Sequence, residues 1–296
     1  MTNLLEIHNI HTFIGQFHIL EAVSLAVPQG SITALLGRNG AGKTTTLKSI
    51  LGLTPPSEGQ IYFEDQPIHG YRSFEIAALG IGFVPEHRAI FRDLSVAENL
   101  RIAERRKGDL RRKEEFIFSL FPDLKRLIHL PGTNLSGGQQ QMLAIARALV
   151  PDNKLLLIDE PSEGLAPVII EHMMDAIRQL SQEKTVLLVE QNFIVASQLA
   201  ERYVIIEEGR SVKQGLMVPD VFPSGVMNGA TIAMLNSVWY AKHGAADKKH
   251  VVAPGTFFWI LDLAREWNRG YGKAGFTQYQ CVMPSDIELY DRFLEL

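Results

Sequence analysis

The sequence predicts an α/β domain built on a mainly parallel sheet for residues 1–214, and three observations support this. Short apolar runs suited to buried strands recur at 31–36, 155–158 and 186–189, with helical patterns between them. A glycine-rich loop, Gly37 to Thr44, joins the first of these runs to a helix, and the second ends in two carboxylates, Asp159 and Glu160. Composition then changes near Gly215. All three tryptophans, the single cysteine (Cys281) and 12 of the 25 aromatic residues fall in 215–296, so this stretch is expected to be a separate α+β fragment with other packing habits.

The first segment opens on two alternating runs, 4–8 and 22–27, closed by Pro28-Gln29-Gly30. A period of two between turn residues reads as antiparallel strands. The run 31–36 is almost wholly apolar and ends at Gly37, as a strand buried on both faces would. A helix is expected from about Gly42, carrying Leu47, Ile50 and Leu51 on one stripe. Pro55 to Gly59 reads as a loop and Gln60-Ile61-Tyr62-Phe63 as another strand. From Ser95 to about Leu130 the pattern is helical and heavily charged. A further helix over 168–180 separates the two later buried strands, and this alternation is what makes the predicted sheet parallel. No internal repeat or low-complexity tract interrupts it.

Composition excludes several classes. Hydrophobic residues make up 46% and charged ones 21%, too apolar for a disordered chain. No uncharged apolar stretch approaches the roughly 20 residues of a transmembrane helix. The N-terminal Met1-Thr2-Asn3-Leu4-Leu5-Glu6 lacks the basic and long apolar regions of a signal peptide, so a cytoplasmic chain is expected. One cysteine excludes an internal disulfide framework and a multi-cysteine zinc site. The net charge of -4 gives no global attraction for nucleic acid, and no nucleic-acid partner is expected.

Three motifs carry chemistry. Gly37-Arg38-Asn39-Gly40-Ala41-Gly42-Lys43-Thr44, with Thr45 directly behind it, matches G-x-x-x-x-G-K-[ST] at a strand-to-helix junction. Glycines let the backbone curl so that several N–H groups face one phosphate, and the helix N-terminus adds positive potential. Lys43 then supplies a cation for the β- and γ-phosphates of ATP, and Thr44 a hydroxyl for Mg²⁺. In the second motif, 154–160, an apolar strand delivers Asp159 beside Thr44 to hold the Mg²⁺ shell, and Glu160 stands where it can polarise a water. The third, Leu135-Ser136-Gly137-Gly138-Gln139, precedes an amphipathic helix over 140–150 and makes a second cradle for an anion. One chain has no need of two cradles unless the second serves another nucleotide.

With these in order, residues 4–215 resemble the ATP-binding subunits of ABC transporters, which are P-loop NTPases with a mainly parallel core, an antiparallel β subdomain and a helical subdomain. Within that superfamily Gly80-Ile81-Gly82-Phe83-Val84-Pro85-Glu86, the run from Gln139 to Leu149, the run from Asp159 to Pro167 and Val189-Glu190-Gln191-Asn192 resemble the branched-chain amino acid importer branch. Urea and short-chain amide importers share much of this pattern. The resemblance implies a head-to-tail dimer, of two identical or sibling subunits, with ATP sandwiched between Lys43 and Thr44 of one and Ser136 and Gly138 of the other. It also implies membrane permeases as partners, a periplasmic or extracellular binding protein acting indirectly, and a place at the cytoplasmic face of the membrane. Three departures from the superfamily pattern stand out. Glu86 replaces the glutamine that senses Mg²⁺ and the permease, Gln191 replaces the histidine against the γ-phosphate, and Ile14 replaces the aromatic that stacks on adenine. Phe13 is the substitute expected for that last role.

The basic run from Arg101 to Lys113 is interleaved with Glu104 and Asp109, and reads as a solvated helix face rather than a permease- or lipid-facing surface. His8, His11 and His18 lack helical ligand spacing and read as surface or strand residues. Residues 215–296 resemble part of the C-terminal half of FAD-linked oxidases of the vanillyl-alcohol-oxidase type. The flavin-binding domain of that family is absent, so no flavin is expected. A soluble ABC protein acting on nucleic acid or ribosomes and a flavoenzyme are the competing classes. The first usually carries two cassettes per chain, where this sequence has one.

Overall fold

The alternating N-terminal residues fold as a long antiparallel hairpin, β1 (Asn3–Ile14) and β2 (Phe17–Pro28), in the computed structural model, which describes residues 2–217. Both strands are longer than the sequence predicts. Register shifts around Asn9, whose φ is +46°, bend β1 and break its alternation, which conceals its second half. β3 (Ile32–Leu36) leaves this hairpin for a second sheet, and α1 (Lys43–Ile50) follows it. β4 (Glu58–Phe63) and β5 (Gln66–Pro67) return to complete a four-stranded sheet in the order β2-β1-β4-β5.

The rest of the chain alternates. α2 (Ser73–Ala78) leads into β6 (Ile81–Val84), and the helical segment α3 (Val96–Ile102), α4 (Asp109–Leu120), α5 (Pro122–Arg126) and α6 (Gly137–Leu149) leads into β7 (Leu155–Asp159). α7 (Pro167–Ser181), β8 (Thr185–Glu190), α8 (Phe193–Leu199), β9 (Arg202–Glu207) and β10 (Arg210–Leu216) complete the described residues. The second sheet has the order β10-β9-β3-β8-β7-β6 and is parallel except for β10, which pairs antiparallel with β9. Leu5, Ile7 and Ile10 of β1 share one buried cluster with Leu35, Leu47, Leu157 and Val189, so the core fills the space between the two sheets around α1. Gly215, where the sequence places the domain boundary, is still paired with Tyr203 in β10. The oxidase-like resemblance falls on 218–296, outside the described residues.

Residues 95–130 are not one helical stretch. Gly108, with φ +90°, N-caps α4, and Pro122 starts α5 after Phe121 leaves helical geometry. The charge pattern hides these breaks because both flanking helices are polar on their outer faces. Ser95 caps α3 and Ser136 caps α6, each in a reciprocal capping box, with Glu98 and Gln139 respectively.

Candidate functional site

Parallel pairing assembles the site. Leu36 stands opposite Glu190, Asp159 opposite Val189, and Val84 opposite Ile158, so four neighbouring strands end in one row. The residues just past those ends, Gly37, Glu86, Glu160 and Gln191, therefore emerge at the same edge of the sheet. Here the phosphate-loop sequence turns from β3 into α1. Gly40 and Gly42 adopt φ +82° and +108°, and Arg38, Asn39 and Gly40 are exposed while Ala41 and Gly42 are buried.

Two neighbours fix the loop from behind. A Cβ on Gly37 would stand 2.4 Å from the Ile206 carbonyl oxygen of β9. Gly209, in the β9–β10 turn with φ +75°, donates its N–H to the Ala41 carbonyl at 3.0 Å, and its own carbonyl accepts from Glu21 at 2.7 Å. A Cβ on Gly209 would meet the Ile19 carbonyl at 2.2 Å. The turn thus ties the loop to β2, the strand paired with the one that carries Phe13. Phe13 itself is exposed, with one ring face stacked on His18 at 4.2 Å and 9°. His18 in turn shares a 3.1 Å hydrogen bond with His11.

Lys43 is only 4% exposed, and its ammonium donates to the carbonyls of Gly37 (2.9 Å) and Arg38 (3.0 Å) while pairing with Glu160 Oε1 at 2.9 Å. Glu160 has φ +43°, an uncommon conformation for a residue other than glycine, and its N–H donates to the Val189 carbonyl at 2.9 Å. This bend turns the chain sharply just after β7. Asp159, the last residue of β7, is 1% exposed, and neither of its carboxylate oxygens has a well-formed hydrogen bond. Burial pushes its pKa up to about 6, with the charges of Glu160 and Glu86 adding to the rise. The neighbouring Thr44 hydroxyl and Lys43 pull the other way and do not cancel it.

A buried carboxylate whose neighbouring hydroxyl does not offset its burial is what a cation would satisfy. Among the described residues no three carboxylate, imidazole or thiol groups converge to enclose a metal by themselves. A hard divalent ion here would take Asp159 and Thr44 as its protein ligands, with its remaining oxygens from phosphate and water. That donor set fits Mg²⁺ bound with a nucleotide.

Sequence reasoning missed two members of this acidic edge. Glu190 is buried at the end of β8, accepting from the Ser162 hydroxyl (3.0 Å), the Ser162 N–H (3.2 Å) and the Asn192 N–H (3.2 Å). Burial raises its pKa to about 7 against these bonds. Glu163 is also raised, by burial first and then by the charges of Glu86 and Glu160. The signal was present in both cases: a carboxylate closing an apolar strand, and a third acid three residues after Glu160. Gln191 is exposed beside them.

The Leu135–Gln139 segment is not part of this cluster. Ser136 is exposed and caps α6, accepting from the Gln139 N–H at 3.3 Å. Gly138 allows α7 to approach, since a Cβ there would be 2.6 Å from Ile169 Cγ2. Gly137 faces the Arg88 guanidinium.

The chain is similar to known ATP-binding cassettes. The ABC transporter family's sequence model matches residues 20–163. A high-affinity branched-chain amino acid transport ATP-binding protein of Pseudomonas aeruginosa is 42% identical over 212 residues, 71% of this chain and 91% of that protein. A probable branched-chain amino acid transport ATP-binding protein of Archaeoglobus fulgidus is 35% identical, covering 68% and 86%. Among solved structures, the dimeric post-hydrolysis state of an ATP-binding cassette with ADP and phosphate superimposes at a TM-score of 0.64 with 26% identity, over 72% of this chain and 99% of that one.

Proposed function

Because the chain belongs to the ABC transporter family as an ATP-binding cassette that hydrolyses ATP, we propose that it is the ATPase subunit of an importer for branched-chain or chemically related amino acids. The observation that carries this reading is the meeting of Lys43, Thr44, Asp159 and Glu160 at one sheet edge, in a chain 42% identical to a branched-chain amino acid transport ATP-binding protein.

In the nucleotide-free chain Lys43 is held by two carbonyls and Glu160. When triphosphate enters, the loop N–H groups and Lys43 take the phosphate oxygens, and the ammonium leaves Glu160. Glu160 is then free to accept the proton of an attacking water, with its carboxylate oriented by the bend at its own backbone. Asp159 and Thr44, with Glu86, would hold Mg²⁺, which would neutralise charge on the phosphates. Gln191 donates a neutral hydrogen bond toward the γ-phosphate, and Phe13 offers its free ring face to adenine. Ser136, which is exposed, and Gly138, which is buried beside it, serve the nucleotide of a second cassette, identical or sibling. This is consistent with their separation from the chain's own phosphate loop. Closure and reopening of that dimer drive permease subunits at the cytoplasmic face of the membrane, which receive substrate from a binding protein.

Uptake of radiolabelled leucine, with urea in parallel, in cells deleted for this gene and complemented with the wild-type or Lys43→Ala chain tests the proposal. Restored leucine uptake by the wild-type chain alone is expected. Unchanged leucine uptake on deletion contradicts the substrate assignment, and rescue by the Lys43→Ala chain contradicts the ATPase role.

A further inference from the structure

A second concave site lies at the other end of strands β6 and β7 from Asp159. It has a volume of about 980 Å³ and is walled by the end of α2, the loop entering α4 and the turn between α6 and β7. Six of its lining residues are lysine or arginine, and only Asp109 and Asp152 are acidic. This is the structural fate of the basic run that reads as a solvated helix face in the sequence. Because Gly108 breaks the helix, the charges fold around a hollow.

Three of the six cations are already neutralised. Arg112 pairs with Asp109, Lys113 with Asp152 at 3.3 Å, and Lys154 with Glu64 at 2.6 Å. The other three, Arg105, Arg106 and Lys107, are consecutive, and among the described residues no salt bridge engages them. The Arg105 guanidinium donates only to the uncharged carbonyl of Ile81, at 3.3 Å. Surrounding protein desolvates it enough to lower its pKa despite the nearby charge of Asp109.

The two acids nearest this triplet spend their hydrogen bonds on the backbone of this turn and on Arg112, though the charge of Asp109 still reaches Arg105 and Arg106. Asp109 accepts the N–H groups of Arg105 (3.0 Å) and Arg106 (2.7 Å), and Glu104 accepts those of Gly108 (3.1 Å) and Leu110 (3.0 Å). These four bonds fix the turn, so three like charges are held side by side. Such an arrangement is repulsive until a multivalent anion enters.

The shape narrows the ligand. The volume falls in the range of small-molecule sites, and a concave wall suits a discrete molecule better than a flat bilayer surface. The apolar lining is Ala78, Leu79, Val150 and Pro151, with no aromatic ring on which the bases of a single-stranded nucleic acid would stack. Arginine and lysine together match phosphate oxygens.

We propose that this cleft binds a free, multiply phosphorylated anion of mononucleotide size or smaller, through Arg105, Arg106 and Lys107, at a site separate from the phosphate loop. Titration calorimetry of the full Lys43→Ala chain with tripolyphosphate, without nucleotide so that no other phosphorylated ligand competes for the cleft, tests it. One tripolyphosphate per chain is expected, with affinity lowered about tenfold or more in Arg105→Ala/Lys107→Ala, whose lost charge-assisted contacts are exposed and leave basal ATP turnover unchanged where Lys43 is intact. Lys107→Ala alone, a single exposed truncation, should show a smaller loss in the same direction. Absence of tripolyphosphate binding, or affinity indifferent to both cleft variants, overturns the proposal. So does a chain that sediments with phosphatidylglycerol vesicles while ignoring tripolyphosphate, which would assign the charges to a membrane.

Discussion

At the scale of single residues the site is electrostatically unfinished without ligand. Glu190 ionises near pH 7 in the folded chain against 4.5 as a free carboxyl. At pH below the lower value both folded and unfolded forms are protonated and nothing is lost. Between the two values the unfolded carboxyl ionises first, so stability falls as pH rises, and the loss levels off above pH 7. It is on the order of 3 kcal/mol. Glu190→Gln should therefore melt several degrees above the wild type at pH 8 and close to it at pH 4.5, by calorimetry of the nucleotide-free chain. Equal melting at pH 8 would mean the burial penalty is offset elsewhere. Lys43→Ala removes the side-chain cation paired with Glu160 and should lower ATP turnover at least about a hundredfold, by phosphate release.

At the scale of elements, the strand ends were legible in the sequence because their chemistry is local. Gly37 to Thr44 announces both a turn and a helix start, and Asp159-Glu160 closes an apolar run. Other elements were hidden. β6 contains Gly82, whose added Cβ would be 2.4 Å from Asn153 Nδ2, so close packing rather than strand propensity chose that residue. β9 buries Val204, Ile205 and Ile206 between polar ends and β10 is largely exposed, and only their tertiary role, holding Gly209 against Ala41 and Ile19, reveals their use. That role is testable. Gly209→Ala adds a Cβ 2.2 Å from a backbone oxygen, whereas Gly30→Ala, at φ +72°, meets nothing within 4 Å. Gly30→Ala should cost about 1 kcal/mol in urea unfolding, from the backbone alone. Gly209→Ala should cost more than about 2 kcal/mol and weaken ATP binding as well, because the turn that supports the phosphate loop must shift. Similar losses at the two positions would remove the turn from the account.

At the scale of the molecule, the parallel register does the assembling. Residues more than 100 positions apart, such as Lys43 and Glu160, meet because β3, β8 and β7 end together. Sequence reasoning expected Asp159 beside Thr44 at that edge and left out Glu190 and Glu163, whose importance comes from burial and from neighbours on other strands. It also treated the charges of 101–113 as one helix face, because a single left-handed glycine decides whether they face water or a cleft. Among the described residues no helix is long and apolar enough to cross a membrane.

The central claim is that two such chains close on ATP, with Ser136 of each facing the nucleotide held by Lys43 of the other. Light scattering of the Glu160→Gln chain with and without ATP tests it most directly. The account expects the mass to double on adding ATP and to remain single when Ser136→Glu is also present. A mass that stays that of one chain in saturating ATP would contradict it.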